Sequence, residues 1–256
     1  MKAWRAWSIG AVAALTLAFP APARTLAEVK ARGVISLCAN PDALPYASNR
    51  SDPPGFQVEI ARALAEALGV KLEVDWIVPR MRAGLVDCDM LLDTIVTPDL
   101  ARGPVRISHP YQRSGVALAL KRGSDSVARF TDLAPGTRIG VMVNSVASKL
   151  LNQRGLYTVP YAFETDMIVD LAKGELDAAA VSPAAIAYYI HLHPESGLRY
   201  AHAYDTEPEL AWSVAVGVRR SDDAMIDAVN SALDRMAVGG AFARLYATYG
   251  VEYRKP

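Results

Sequence analysis

The sequence predicts an α/β fold in two lobes, each a mostly parallel sheet flanked by helices. Strand-like and helix-like segments alternate along the chain, which favours sheets covered by helices. Residues 89–96 are mostly apolar, as expected for a strand covered on both faces. The alternation restarts near residue 120, and this restart indicates a second lobe.

The first half of the pattern opens with a short helix at 26–32, which Gly33 ends before a strand at 34–38. The helix at 56–69 is the clearest element, because apolar residues recur every four positions and Gly69 supplies the stop. The remaining strands expected in this half are 71–78, 89–96 and 116–120.

The second half repeats the alternation and ends on two helices. Pro183 stands at the first position of one helix, and Gly250 caps the last one. The strands expected here are 138–143, 158–162, 177–181 and 213–218, and the helices are 145–154, 164–173, 183–192, 222–238 and 240–249.

Residues 1–23 have the features of a secretory signal peptide. Lys2 and Arg5 precede an apolar run that is too short, at ~11 residues, to span a bilayer. Ala21-Pro22-Ala23 fits the small-x-small cleavage rule, so we expect cleavage after Ala23 and export to the periplasm. An uncleaved membrane anchor is the alternative.

Composition and motifs exclude several function classes. The chain has 27 basic and 27 acidic residues, whereas a nucleic-acid-binding surface needs a basic surplus. The nucleophile-elbow, phosphate-loop, zinc-protease and dinucleotide motifs are absent from the sequence. His191 and His193 are two residues apart and do not share a helix face, so we expect no metal site. We expect neither a cofactor nor catalysis.

Several segments together resemble family 3 of the periplasmic solute-binding proteins, the receptors of polar-amino-acid ABC importers. Gly55-Phe56 with Ile60 matches the start of a helix in that family. The other matches are Thr97-Pro98, Ser108 to Tyr111, Lys173 to Ala179, and the ending Gly239 to Gly250. The resemblance implies the two-lobed periplasmic binding protein fold, a small-molecule ligand and no catalysis. In that fold the chain crosses twice between the lobes, so lobe 1 would comprise residues 24–115 and about 217–256, and lobe 2 about 116–216. The two crossings would form a hinge, and a solute would be captured when the lobes close on it.

Within that family, residues 37–49 are similar to the opening of the J-type proteins associated with quinoprotein methanol dehydrogenase. Cys88-Asp89 matches a second Cys-Asp of that subgroup. The stretch between Trp76 and Cys88 is shorter here than in the subgroup. The resemblance implies an accessory protein of a quinoprotein dehydrogenase system, with that dehydrogenase as its partner. The alternatives are a receptor for an ABC importer, with a permease as partner, and an enzyme built on a binding-protein fold.

Ligands of α/β sheets bind beyond the carboxyl ends of the strands. Tyr46 would form an aromatic wall there, or it would pack under the following proline-rich loop. Asp93 would lie in the cleft or bond to the backbone. Asn144-Ser145 would cap a helix, and the same N–H groups could hold an anion. The expected cleft residues are Asp42, Tyr46, Arg80, Asp93, Thr97, Tyr111, Ser114, Asn144, Ser145 and Ser182.

The resemblance also carries two expectations about particular residues. In the family's sheet order the first and third strands are neighbours, which favours a disulfide between Cys38 and Cys88. The usual amino-acid site holds the ligand's α-carboxylate with the Arg of a T-P-x-R motif and its ammonium with an Asp. Here Leu100 and Ser182 stand at those positions. We therefore expect no binding of free α-amino acids in the usual family manner.

Overall fold

The computed structural model describes residues 24–77, 88–96, 105–121, 123 and 126–256. The expected signal peptide at 1–23 and the expected site residues Arg80 and Thr97 lie outside the described residues. Among the described residues, no helix has the length and apolar character needed to cross a bilayer.

The elements follow the predicted alternation. The helices are α1 Leu26–Arg32, α2 Phe56–Leu68, α3 Val146–Gln153, α4 Glu164–Lys173, α5 Pro183–Leu192, α6 Asp223–Val238 and α7 Ala241–Ala247. The strands are β1 Val34–Ala39, β2 Asp42–Ala43, β3 Ala47–Ser48, β4 Lys71–Trp76, β5 Met90–Ile95, β6 Val105–Gly115, β7 Ala117–Lys121, β8 Ile139–Met142, β9 Thr158–Tyr161, β10 Ala178–Val181, β11 Leu198–Ala201 and β12 Ala211–Arg219.

Two five-stranded sheets organise the chain. The first has the order β4-β1-β5-β12-β6, and the second has the order β11-β7-β10-β8-β9. The predicted two-lobed α/β architecture is confirmed. The expectation of mostly parallel sheets is wrong, because β12 runs antiparallel to both β5 and β6, and β7 runs antiparallel to both β10 and β11.

The chain changes sheet at two places. Gly115 ends β6 in the first sheet, and β7 begins in the second sheet two residues later, at Ala117. The chain returns between Ala201 and Ala211, so the boundary expected near residue 217 falls inside β12. A Cβ atom at Gly115 would lie 2.4 Å from the Leu210 carbonyl oxygen and 2.5 Å from Tyr204 Cβ. The two crossings therefore pack directly on each other.

Separate apolar cores support the two sheets. The larger core packs α2, α6 and α7 around the first sheet, and smaller cores lie against the second sheet. Trp212 of β12 packs against both the larger core and a core of the second sheet. This ring therefore lies where the two halves of the molecule meet.

Candidate ligand-binding site

A cavity of about 500 Å³ lies at the carboxyl ends of β1 and β5. Its walls also include the loop from Ala43 to Ala47, the start of α2 and parts of β6 and β12. Among the described residues, Ser182 is the one lining residue that does not belong to the first sheet or its connections, because it directly follows β10 of the second sheet. The cavity thus touches both sheets at the edge where α/β proteins hold ligands.

Five of the expected site residues line this cavity: Tyr46, Asp93, Tyr111, Ser114 and Ser182. Asp42, Asn144 and Ser145 are not among its described lining residues. Sequence reasoning missed several polar or aromatic wall residues, namely Asn40, Gln57, Thr94, Gln112 and Trp212. Asn40 directly follows β1, Thr94 follows the expected residue Asp93 near the end of β5, and Gln57 follows the first residue of α2, so their positions at these junctions are the signal that indicates them.

The aromatic wall around Tyr46 depends on a glycine. The Tyr46 ring contacts Phe56 edge-on at 5.1 Å between centroids, and Phe56 stacks on Tyr246 at 4.4 Å. Gly55 has φ +100°, and a Cβ atom there would lie 2.4 Å from the Tyr46 carbonyl oxygen. Only glycine lets the chain enter α2 this close to the cavity wall.

Tyr111 is a neutral, structural part of the wall. It is 3% exposed, and its hydroxyl donates to the carbonyl oxygen of Leu92. Its ring stacks on Phe242, with 5.6 Å between centroids. Burial raises the pKa of this phenol well above its ordinary value. The neighbouring Gln112 is oriented by the hydroxyl of Tyr246, which donates to Gln112 Oε1 at 2.7 Å.

Cys38 and Cys88 form the predicted disulfide, with their Cα atoms 5.5 Å apart. The parallel pairing of β1 with β5 places Leu37 opposite Met90 and thereby brings the two cysteines together. Cys38 also lines the cavity. The bridge therefore joins β1, at the cavity wall, to the segment that enters β5.

Asp89, next to the disulfide, is a buried ionic anchor that is 1% exposed. Its carboxylate accepts hydrogen bonds from the guanidinium groups of Arg24 at 2.5 Å and Arg32 at 2.7 Å. The backbone N–H of Ser36 donates to it at 2.8 Å. These contacts tie the segment before β1 and the start of β5 to the same point.

The carboxyl edge of the second sheet carries the expected helix cap. Ser145 Oγ accepts the backbone N–H of Ser148 at 3.0 Å, so the capping prediction for α3 is confirmed. Asn144 has φ +59°, a left-handed conformation that asparagine adopts more readily than most residues. The possible role of this turn in holding an anion stays a prediction.

Ser182 is engaged by a carboxylate that sequence reasoning missed. Glu164, the first residue of α4, accepts the Ser182 hydroxyl on Oε2 at 2.7 Å and the Ser182 backbone N–H on Oε1. Burial raises the pKa of Glu164, while both hydrogen bonds from Ser182 act to lower it. A contact between two helix starts is set by the fold and carries no local sequence signal.

Comparison with known proteins identifies the family of this chain. The model of the bacterial extracellular solute-binding proteins, family 3, matches residues 35–252. The chain belongs to this family. That membership agrees with the resemblance carried by its motifs, and with a cavity that touches both sheets.

Two relatives of known name cover most of the chain. A probable histidine-binding protein of Neisseria gonorrhoeae is 24% identical over 84% of this chain and 82% of its own length. The L-cystine-binding protein TcyJ of Escherichia coli K12 is 23% identical over 93% of this chain and 90% of its own length. Both relatives are named as binding proteins.

A solved structure agrees with the fold. An ancestral cationic amino acid solute-binding protein superposes with a TM-score of 0.74 at 22% identity, over 88% of this chain and 98% of that one. At this identity the likeness establishes the architecture, and the ligand has to be argued from this chain's own residues.

Proposed function

We propose that the protein is a periplasmic receptor that captures a small solute and presents it to an ABC importer. The observation that carries the proposal is the cavity of about 500 Å³ between the carboxyl ends of the first sheet and Ser182 of the second sheet. Contacts on two sheets would stabilise a closed state by their differential affinity for it. The amino-acid and cystine binding named for the relatives supports a small polar solute.

The position of the protein in the cell is part of this proposal. Cleavage after Ala23 would release the chain into the periplasm, where a disulfide between Cys38 and Cys88 can persist. Lobe 1 would comprise residues 24–115 together with the last part of the chain, and lobe 2 would comprise the residues between these two parts. We place the second crossing before β12, because that strand pairs within the first sheet.

The expectation about amino acids narrows the ligand class. Leu100 and Ser182 stand where the family's amino-acid site has its two charged anchors. A zwitterion would therefore lose the hydrogen bonds that a guanidinium at position 100 gives its carboxylate, worth about 1.5–3 kcal/mol each. The cleft residues we propose as ligand contacts are Tyr46, Asp93, Tyr111, Ser114 and Ser182, with Asp42, Arg80, Thr97, Asn144 and Ser145 as possible contacts in a closed form.

A thermal-shift screen tests the proposal directly. A solute present at ~100 times its Kd should add about 2.7 kcal/mol to the free energy of unfolding. Amino acids, small amines and small acids form the panel. A clear rise in melting temperature with at least one class supports the receptor role. A melting temperature unchanged by every compound at millimolar concentration contradicts it.

The accessory role in a quinoprotein dehydrogenase system is the second candidate. It rests on the run 37–49 and on the Cys38–Cys88 pair, which the J-type resemblance shares. The test is a calorimetric titration of the purified protein with the quinoprotein dehydrogenase of the same organism. Saturable binding heat with the dehydrogenase and none with small solutes favours this candidate over the importer receptor.

A further inference from the structure

We propose that Glu164 sets the charge preference of the cleft, and that the solute is a small organic amine held at Ser182. This inference rests on the proposed function and names the ligand class of the same cavity. Both carboxylate oxygens of Glu164 accept hydrogen bonds from Ser182. Among the described residues, Ser182 is the one cavity-lining residue on the side of the second sheet, and this contact is the observation that supports the proposal.

The carboxylate of Glu164 lies beside the cavity wall, next to Ser182. Glu164 begins α4 and Ser182 precedes α5, so both lie at the carboxyl edge of the second sheet. The Ser182 hydroxyl donates to Glu164 Oε2 at 2.7 Å, which leaves its oxygen lone pairs as acceptors. A ligand N–H group could therefore donate a hydrogen bond to Ser182 Oγ, which is itself hydrogen-bonded to the Glu164 carboxylate.

The second step is the lack of an internal counter-charge. No ion pair joins Glu164 to a Lys or Arg within the described residues, although the side chain is partly buried. Burial disfavours the ionised carboxylate, and a bound cation would relieve that cost. The site therefore favours a cation over an anion at this wall.

The third step is the body of the ligand. Most of the remaining wall is apolar or aromatic, including Tyr46, Ile77, Tyr111 and Trp212. Aromatic faces add attraction for an ammonium group and cover an apolar stem. A primary amine on a small apolar or aromatic body fits these walls without needing a carboxylate anchor.

Three compounds with one shared body test the charge preference on the wild-type protein. Phenethylamine carries the ammonium alone, 3-phenylpropionate carries the carboxylate alone, and L-phenylalanine carries both. Histamine, imidazole-propionate and L-histidine form a second set. In calorimetric titrations we expect an amine to bind with a Kd of about 1 mM or tighter, and the matching acid to bind at least about tenfold more weakly.

The variant Glu164→Gln keeps an amide oxygen for the Ser182 N–H but removes the charge. It should weaken amine binding about tenfold or more and leave the weak binding of the acid unchanged or improved. Glu175→Gln is the matched control, because Glu175 is exposed at the opposite end of β10 and outside the cavity lining. This control should leave both affinities unchanged.

The outcomes separate the two proposals. Equal or tighter binding of the acid or the zwitterion overturns the amine preference but keeps the receptor function. An equal loss of amine and acid binding in Glu164→Gln assigns Glu164 a purely structural role and also overturns the inference. Absence of binding by both compound sets overturns the inference, and the wider thermal-shift panel then decides the receptor function separately.

Discussion

At the scale of single residues, the disulfide between Cys38 and Cys88 is the most readily tested feature. It closes a loop with a sequence separation of 50 residues. Replacing both cysteines with alanine should lower the free energy of unfolding by roughly 4 kcal/mol, because the unfolded chain gains the freedom of that loop. Chemical denaturation without reductant measures the change.

Reductant supplies the control for the disulfide prediction. The wild-type protein should lose similar stability in dithiothreitol, whereas the double variant should be insensitive to it. Two thiols that react with a labelling reagent in denaturant without reductant would show that the bridge is absent.

Asp89 is expected to be the most important ionic residue for stability. Asp89→Asn would remove a buried carboxylate charge that pairs with the guanidinium groups of both Arg24 and Arg32, at a cost of about 3–5 kcal/mol. Asp223→Asn is the matched control, because Asp223 pairs with Arg106 and both side chains are exposed to solvent. This variant should lose no more than ~1 kcal/mol of the free energy of unfolding. Urea denaturation of both variants makes the comparison, and equal losses would contradict it.

Glu164 makes stability depend on pH in a defined direction. Burial raises its pKa in the folded protein above the ordinary value of 4.5, so folding favours the protonated form. The associated stability is present at pH values below the unfolded-state pKa and is lost as pH rises through the folded-state pKa. Glu164→Gln cannot titrate, so the wild-type stability minus the variant's stability should fall as the pH rises above the ordinary pKa of 4.5. A difference that rises with pH would contradict the burial argument.

At the scale of elements, the sequence predicted best where caps are local. The bounds of α1, α4 and α5 agree with expectation, since Gly33, Gly174 and Pro183 mark ends that residues nearby determine. β6 and β11 were not predicted. β6 mixes polar residues with His109-Pro110, and β11 is only four residues long, so pairing in the finished sheet decides both.

Some residues of the candidate site were predictable from the sequence and others were not. The rule that ligands bind at strand ends found Tyr46, Asp93 and Ser182 from the sequence. Glu164 was missed because its importance comes from contact with Ser182, which is 18 residues away and belongs to another element. Side chains that act across elements are visible only after the sheet order is known.

The crossing at Gly115 gives a prediction about how the elements join. Gly115→Ala would push a methyl group onto the Leu210 carbonyl and the Tyr204 side chain, so we expect a loss of about 2 kcal/mol or more. Ser114→Ala, one residue earlier, is the control and should change stability little. A Gly115→Ala variant as stable as the wild-type protein would show that the crossings are loosely packed.

At the scale of the whole molecule, contacts outside the sheets also join the two halves. Arg254, near the end of the chain, pairs with Asp205 at 2.9 Å. The guanidinium groups of Arg254 and Arg113 lie over the Tyr204 ring at 5.5 and 5.7 Å from its centroid. With Trp212 packed on both cores, these contacts join the two halves of the molecule close to the crossings.

The central claim is that a small solute binds in the cavity between the two sheets. The most direct measurement is calorimetric titration of the wild-type protein and of Ser114→Trp with the solute that stabilises the wild-type protein most. Ser114 lines the cavity and is only partly buried, so a tryptophan there would fill ligand space. We expect a saturable binding heat for the wild-type protein and an affinity at least about tenfold weaker in the folded variant. Equal affinity for both proteins would place the solute elsewhere and contradict the account.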